Sequence, residues 1–119
     1  MQIDKSKYIS QASSLASFCA EKDHKYNHAF DKMVKEYGID YALSKLEEKL
    51  YRMKQLKNLD ILDYSESFLD SVRDLWGYSL LTILWLEAEE ARKEEDNRRQ
   101  LHRHLLNMKE VKNNGKGEV

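Results

Sequence analysis

Residues 68–86 read FLDSVRDLWGYSLLTILWL. Proline is absent from the stretch, and its one glycine, Gly77, stands inside it rather than at an end. At roughly 3.6 residues per turn, Phe68, Val72, Leu75 and Ser79 share one face, which marks a helix. Beyond Tyr78 the helix is apolar all round, and such a helix is expected to be buried on every side. Scarce glycine and no proline along the whole chain argue for a few long helices rather than a sheet.

Working outward, segment 5–24 places Tyr8, Ala12, Leu15 and Cys19 at helical spacing. Segment 26–37 adds Phe30, Met33 and Tyr37, and Gly38 ends it as a C-terminal cap. Asp40 is the expected N-cap of a third helix with Ile39, Leu43, Leu46, Leu50 and Met53 as its apolar stripe. KNLDILDYSE (57–66) reads as a loop, with Asp63, Ser65 or Ser67 as caps of the fourth helix. After Leu86 the composition shifts to EAEEARKEEDNRRQ, a solvated charged helix, and then to a short stripe of Leu101, Leu105 and Met108. The expected fold is all-α: an antiparallel bundle of about four helices over residues 1–91, a charged helical extension over 92–112, and a disordered tail at 113–119.

The chain has 119 residues, 34% of them charged, and a formal net charge of -1. One domain fits that length. So balanced a charge gives no global field for nucleic acid, and no direct nucleic-acid binding is expected. The single cysteine, Cys19, permits no internal disulfide. The first residues show no signal-peptide pattern, and SLLTILWL (79–86) is too short to span a bilayer. A cytoplasmic protein away from membranes is expected. The apolar excess of the fourth helix, more than three short partners can cover, points to a homodimer or higher homo-oligomer.

Asp70 and Asp74 interrupt this apolar helix one turn apart. They lie off the Phe68–Val72 face but on the same angular line as Leu81 and Trp85, with Tyr78 close by. They are therefore expected to face a cleft. Like charges at i and i+4 repel, and the repulsion grows as the dielectric falls. A divalent cation, a basic side chain or protonation of one acid would relieve it. Oxygen ligands favour Mg²⁺ or Mn²⁺, with Glu47 and Glu48 of the third helix as further ligands. The plainer alternative is that acids near a helix N-terminus stabilise its dipole, an account that suits Asp70 better than Asp74.

Three blocks, KDHKYNHAF (22–30), YALSKLEEKLYRMKQL (41–56) and SESFLDSVRDLWGYSLLTI (65–83), together resemble a known family. It is the phage-associated nucleotide-modification-associated domain, a branch of the MazG-like all-α nucleotide pyrophosphohydrolases. Its pattern runs K-x-x-D-Y-G-N-S-F, R-L-x-D-K-x-x-R and S-I-x-D-T-L-x-D-L-A-N-Y-A, and the likeness covers about residues 20–86. The resemblance implies a MazG-like bundle that binds a nucleotide through Mg²⁺ (or Mn²⁺) and acts as a pyrophosphohydrolase on a nucleoside triphosphate. It implies Glu47, Glu48, Asp70 and Asp74 as metal ligands, with Glu48 and Asp74 catalytic. Lys25, Tyr26, Asn27, His28, Lys49, Arg52, Trp76 and Tyr78 would bind the nucleotide. It also implies a phage-encoded protein acting in the host cytoplasm.

Departures from the pattern open a second expectation. The family's aspartate before Tyr26 is Lys25 here, its glycine is Asn27, its next asparagine is His28, and its asparagine before Tyr78 is Gly77. Loss of an acid and an amide suits a protein that sequesters a nucleotide, cyclic or ADP-ribose-derived, as a sponge for a defence signal without cleaving it. Trp76 is expected as packing or pocket wall, and Trp85 and Cys19 as core. His24 and His28, one turn apart, are expected at the surface or on a ligand.

Overall fold

In the computed structural model, residues 1–58 and 66–117 are described, and all their regular structure is helical. The helices are α1 (Lys5–Lys25), α2 (Ala29–Tyr37), α3 (Ile39–Asn58) and α4 (Glu66–Gly117). The all-α class is therefore observed. No described helix is long and apolar enough to cross a membrane.

Local signals fix the helix ends. The Asp4 side chain accepts the Lys7 N–H at 3.1 Å and caps α1. Lys22, His24 and Lys25 fill the last turn of α1, where positive charge suits the helix dipole. Between α1 and α2 the chain turns through two left-handed residues, Asn27 at φ 56 and His28 at φ 55. Asparagine tolerates that conformation better than most residues. Asn27 stands where the resembled pattern has glycine, the residue such a φ favours most. Gly38, at φ 73, ends α2 and donates its N–H to Val34 at 2.8 Å.

Three sequence-based boundaries shift. Asp40 lies in the first turn of α3 rather than at its N-cap. Ser67 lies inside α4, where its carbonyl accepts the Ser71 hydroxyl at 2.9 Å, so it forms no capping box. The other proposed caps, Asp63 and Ser65, and most of the 57–66 loop lie outside the described residues. At the other end helix continues through Gly117, where a disordered tail was expected from 113. Asn113, Asn114 and Gly115 weaken a helix there, but no proline stops it.

The chain divides into two units, Met1–Ile83 and Leu84–Val119. In the first, α2 packs against α3, and Phe30, Val34, Ala42 and Met53 are the buried hydrophobic side chains among the described residues. The faces turned inward differ from the apolar stripes. On α3 the covered side runs through Ala42, Lys45, Leu46, Lys49 and Met53, while Ile39, Leu43 and Leu50 stay exposed. On α4 the most covered positions are Ser71 and Gly77, with Asp74 and Tyr78 half-buried, while Leu69 and Val72 are exposed. The line of Asp74, Tyr78 and Leu81 is thus covered along its length, while the apolar face is covered at Phe68, Leu75 and Ser79 but open at Val72. Ile83, on the segment expected to be buried all round, is also exposed.

Gly77 has a packing role. A Cβ built there would stand 2.8 Å from the Cys19 Sγ of α1, so glycine permits the close approach of the two helices. Gly77→Ala should destabilise the protein by about 1–2 kcal/mol, because overpacking outweighs alanine's better helix propensity. In a Cys19→Ala background the same change should be neutral or stabilising. A thermal-denaturation double-mutant cycle measures this, and additive effects would refute the contact.

The described part of the second unit, up to Gly117, is a stretch of α4 tied by ion pairs along its own surface. Arg92 reaches Glu89 and Asp96 at 3.0 Å each, and Glu95 holds Arg99 at 3.2 Å and Arg98 at 3.3 Å. Exposed pairs of this kind add little each, though they support helix along a charged stretch. Leu101, Leu105, Leu106 and Met108 are exposed on it.

A lysine and tyrosine cleft as candidate functional site

A cleft of about 410 Å³ opens in the first unit. Its polar lining is Lys22 and Asp23 of α1, Lys45 and Lys49 of α3, and Asp74 of α4. Its aromatic lining is Tyr26, Phe30, Tyr41 and Tyr78, with Cys19, Ala29, Gly77 and Leu81 completing the cleft. Phe30 lies between two of the other rings, its ring centroid 5.7 Å from Tyr41 and 6.2 Å from Tyr78. Three ammonium groups against two carboxylates leave the cleft positive. A second cleft, of about 300 Å³, shares Lys22, Lys49 and Asp74 and adds Arg52, Asp70 and Arg73.

Asp74 sits at the junction of the two clefts. Lys22 Nζ donates to its Oδ1 at 2.8 Å, and Lys49 Nζ lies 3.2 Å from its Oδ2. The Asp74 side chain is 20% exposed and that of Lys49 18%. Burial pushes the Asp74 carboxyl up, but hydrogen bonds from Lys22 and Lys49 outweigh it and hold the group below its ordinary value. The hydrogen bond to Asp74 likewise raises the Lys22 ammonium against its partial burial. Elsewhere in the cleft, burial works to lower the Lys45 ammonium, but its electrostatic interactions with Tyr41 and Glu48 outweigh burial and hold it above its ordinary value. Burial raises the Cys19 thiol, which disfavours a thiolate nucleophile.

The Asp74 shift has a pH consequence. A carboxyl depressed in the folded state contributes stability above its unfolded pKa, near 3.9, and loses that contribution as the pH falls through the folded value. Wild-type protein should therefore lose thermal stability below about pH 4, and Asp74→Asn should flatten that acid limb. Parallel melting curves across the acid range check this; identical acid slopes would refute it.

Of the residues singled out by sequence, Tyr26, Lys49, Asp74 and Tyr78 line the larger cleft, and Lys49, Arg52, Asp70 and Asp74 line the smaller. The two aspartates do not share an environment. Asp70 is 62% exposed and pairs with Arg73 at 3.7 Å along its own helix. Glu47 and Glu48 are exposed, and Glu48 lies 3.4 Å from Lys45. Lys25 and Asn27 are exposed and line neither cleft. His28 acts at one remove, holding Asp23 through Nδ1 at 2.7 Å. Trp76 is half-buried and outside both linings.

The arrangement does not fit the expected Mg²⁺ centre. Among the described residues no three His, Cys, Asp or Glu side chains come together as a metal site. Asp74 already carries two ammonium partners, and a third positive charge there would meet repulsion. Of the three remedies for the aspartate pair, the chain uses basic side chains, Lys22 and Lys49 at Asp74 and Arg73 at Asp70.

Sequence reasoning missed Lys22, Lys45, Phe30 and Tyr41. Two of these carried a signal, since Lys22 opens the KDHKYNHAF block and Phe30 closes it. Lys45 and Tyr41 stand one turn apart on α3 and belong to its covered side, not to its most apolar stripe. Compared with protein-family profiles, curated proteins and solved structures, the chain matches none. The MazG-like likeness therefore rests on the three quoted blocks.

Proposed function

We propose that the protein binds a nucleotide in the lysine and tyrosine cleft and holds it without cleaving it. The observation that carries this reading is the mixed lining of one cleft: Lys22, Lys45 and Lys49 stand in it together with Tyr26, Phe30, Tyr41 and Tyr78. Ammonium groups suit phosphate oxygens, and aromatic faces suit a base. The volume suits a small molecule. The MazG-like blocks point to the same ligand class. Pyrophosphohydrolase chemistry, the first expectation from those blocks, needs a carboxylate-bound Mg²⁺ that these residues do not fit, so sequestration is the better-supported reading.

The same reading includes a MazG-like helical bundle completed by self-association. Its support is the apolar surface left exposed on the first unit: Ile39, Leu43 and Leu50 of α3, and Leu69 and Val72 of α4. A second copy of the chain would cover such faces. Sedimentation should then give more than one chain per particle at micromolar concentration, and a monomer there would contradict it.

Calorimetric titration with nucleoside mono-, di- and triphosphates, cyclic nucleotides and ADP-ribose tests the binding itself. At least one class should bind, and Lys45→Gln should weaken it roughly tenfold through the lost charge-assisted contact. Lys45 pairs with exposed Glu48 and lies 5.6 Å over the Tyr41 ring, two weak contacts, so its replacement should lower the melting temperature only slightly. Failure of every nucleotide to bind would overturn the reading.

A further inference from the structure

We infer that Asp74 occupies the anion subsite of the cleft: its carboxylate stands where a phosphate group of the ligand belongs, and binding transfers Lys22 and Lys49 from Asp74 to that group. The inference rests on reading the cleft as a ligand site and adds how the site is held before the ligand arrives. Three helices meet at this point, with Lys22 from α1, Lys49 from α3 and Asp74 from α4. Each carboxylate oxygen has its own ammonium, Oδ1 with Lys22 at 2.8 Å and Oδ2 with Lys49 at 3.2 Å. Two ammonium groups gripping two oxygens of one acid are the donors a phosphate oxyanion requires.

The three residues also border both clefts, so the pair of lysines can be reached from the space a ligand would fill. Lys22 is 41% exposed at its side chain, and a lysine ammonium is a point charge on a flexible stem. It can change acceptors without the geometric loss a guanidinium fork would suffer. A terminal phosphate carries more charge than a carboxylate and three acceptor oxygens, so it competes for both lysines at once. Without a ligand, Asp74 offsets one of the two positive charges and ties the three helices together. In the bound state it is a like charge beside the ligand, and it opposes binding.

The sign of the effect is the test, because a carboxylate that held a metal or the ligand would give the opposite one. Wild type, Asp74→Asn and Lys49→Gln are titrated calorimetrically with ADP and with inorganic pyrophosphate in EDTA, after circular dichroism has verified helicity. Asp74→Asn should bind both about tenfold more tightly than wild type, and Lys49→Gln about tenfold more weakly. If wild type binds ADP but Asp74→Asn binds no tighter, the inference fails and the reading of the cleft survives. If Asp74→Asn tightens ADP but leaves pyrophosphate unmoved, the assignment to a phosphate subsite fails. If none of the three proteins binds either probe, the inference fails, while the cleft reading falls only if the whole nucleotide panel also fails to bind. Should Asp74→Asn not fold, carbon NMR of the wild-type Asp74 carboxyl decides. Saturating pyrophosphate should move its titration upward as the lysines leave, and an unmoved titration would overturn the inference.

Discussion

Phe30→Ala should remove about 3–5 kcal/mol of stability, the range for deleting a buried aromatic side chain. Phe30 is buried and touches the rings of both Tyr41 and Tyr78. It is the one aromatic among the buried hydrophobic side chains of the described residues, beside Val34, Ala42 and Met53. With so small a core, that loss is a large share of the roughly 5–15 kcal/mol that keeps a domain folded. Thermal denaturation should show a fall of roughly 15 °C or more, or no cooperative transition at all. Tyr37→Ala, on the same helix but exposed, should change the midpoint little. Equal effects from the two substitutions would contradict this account of the core.

Lys49→Glu should abolish nucleotide binding, by a factor of roughly a hundred or more. The substitution deletes one of the three ammonium groups of the cleft and sets a carboxylate against Asp74, now 3.2 Å from the Lys49 ammonium. Two carboxylates at that junction repel each other and any phosphate brought to them. Stability should fall as well, since half-buried Asp74 loses one of its two ammonium partners and gains a like charge in its place. Glu47→Lys, an exposed reversal on the same helix with no place in either cleft, should leave both affinity and melting temperature close to wild type. Loss of binding in Glu47→Lys alone would move the site elsewhere on α3.

The helices themselves were legible in the sequence. Gly38 closes α2 because its backbone takes a positive φ that glycine adopts without strain, and the absence of proline lets α4 run on past its apolar half. The rotation of each helix was not legible. Apolar spacing on α3 singles out Ile39, Leu43 and Leu50, yet the covered side carries Lys45 and Lys49. Periodicity reports which residues favour burial. It does not report which of several apolar faces the same chain covers and which it leaves exposed.

Within the site, Asp74 was legible because a charge on the line of Tyr78 and Leu81 needs a partner. Asp70, one turn away, turned out to lie at the surface beside Arg73, since a row of i, i+4 residues drifts around the helix. The partners of Asp74 were ambiguous, because a cation and an ammonium group satisfy a carboxylate by the same electrostatics. Lys22, more than fifty positions away in the chain, reaches it only through the fold. Gly77 read as a lost side chain in a ligand-facing stripe; it is also the contact that lets Cys19 approach.

The central claim is that this cleft holds a nucleotide through its lysines, with no metal and no cleavage. Its most direct test is calorimetric titration of the nucleotide panel in excess EDTA, followed by chromatography of the recovered ligand. The account predicts saturable binding in EDTA, little change on replacing EDTA by Mg²⁺, and recovery of the ligand intact. Binding that appears only with Mg²⁺, together with release of pyrophosphate that Asp74→Asn abolishes, would contradict it.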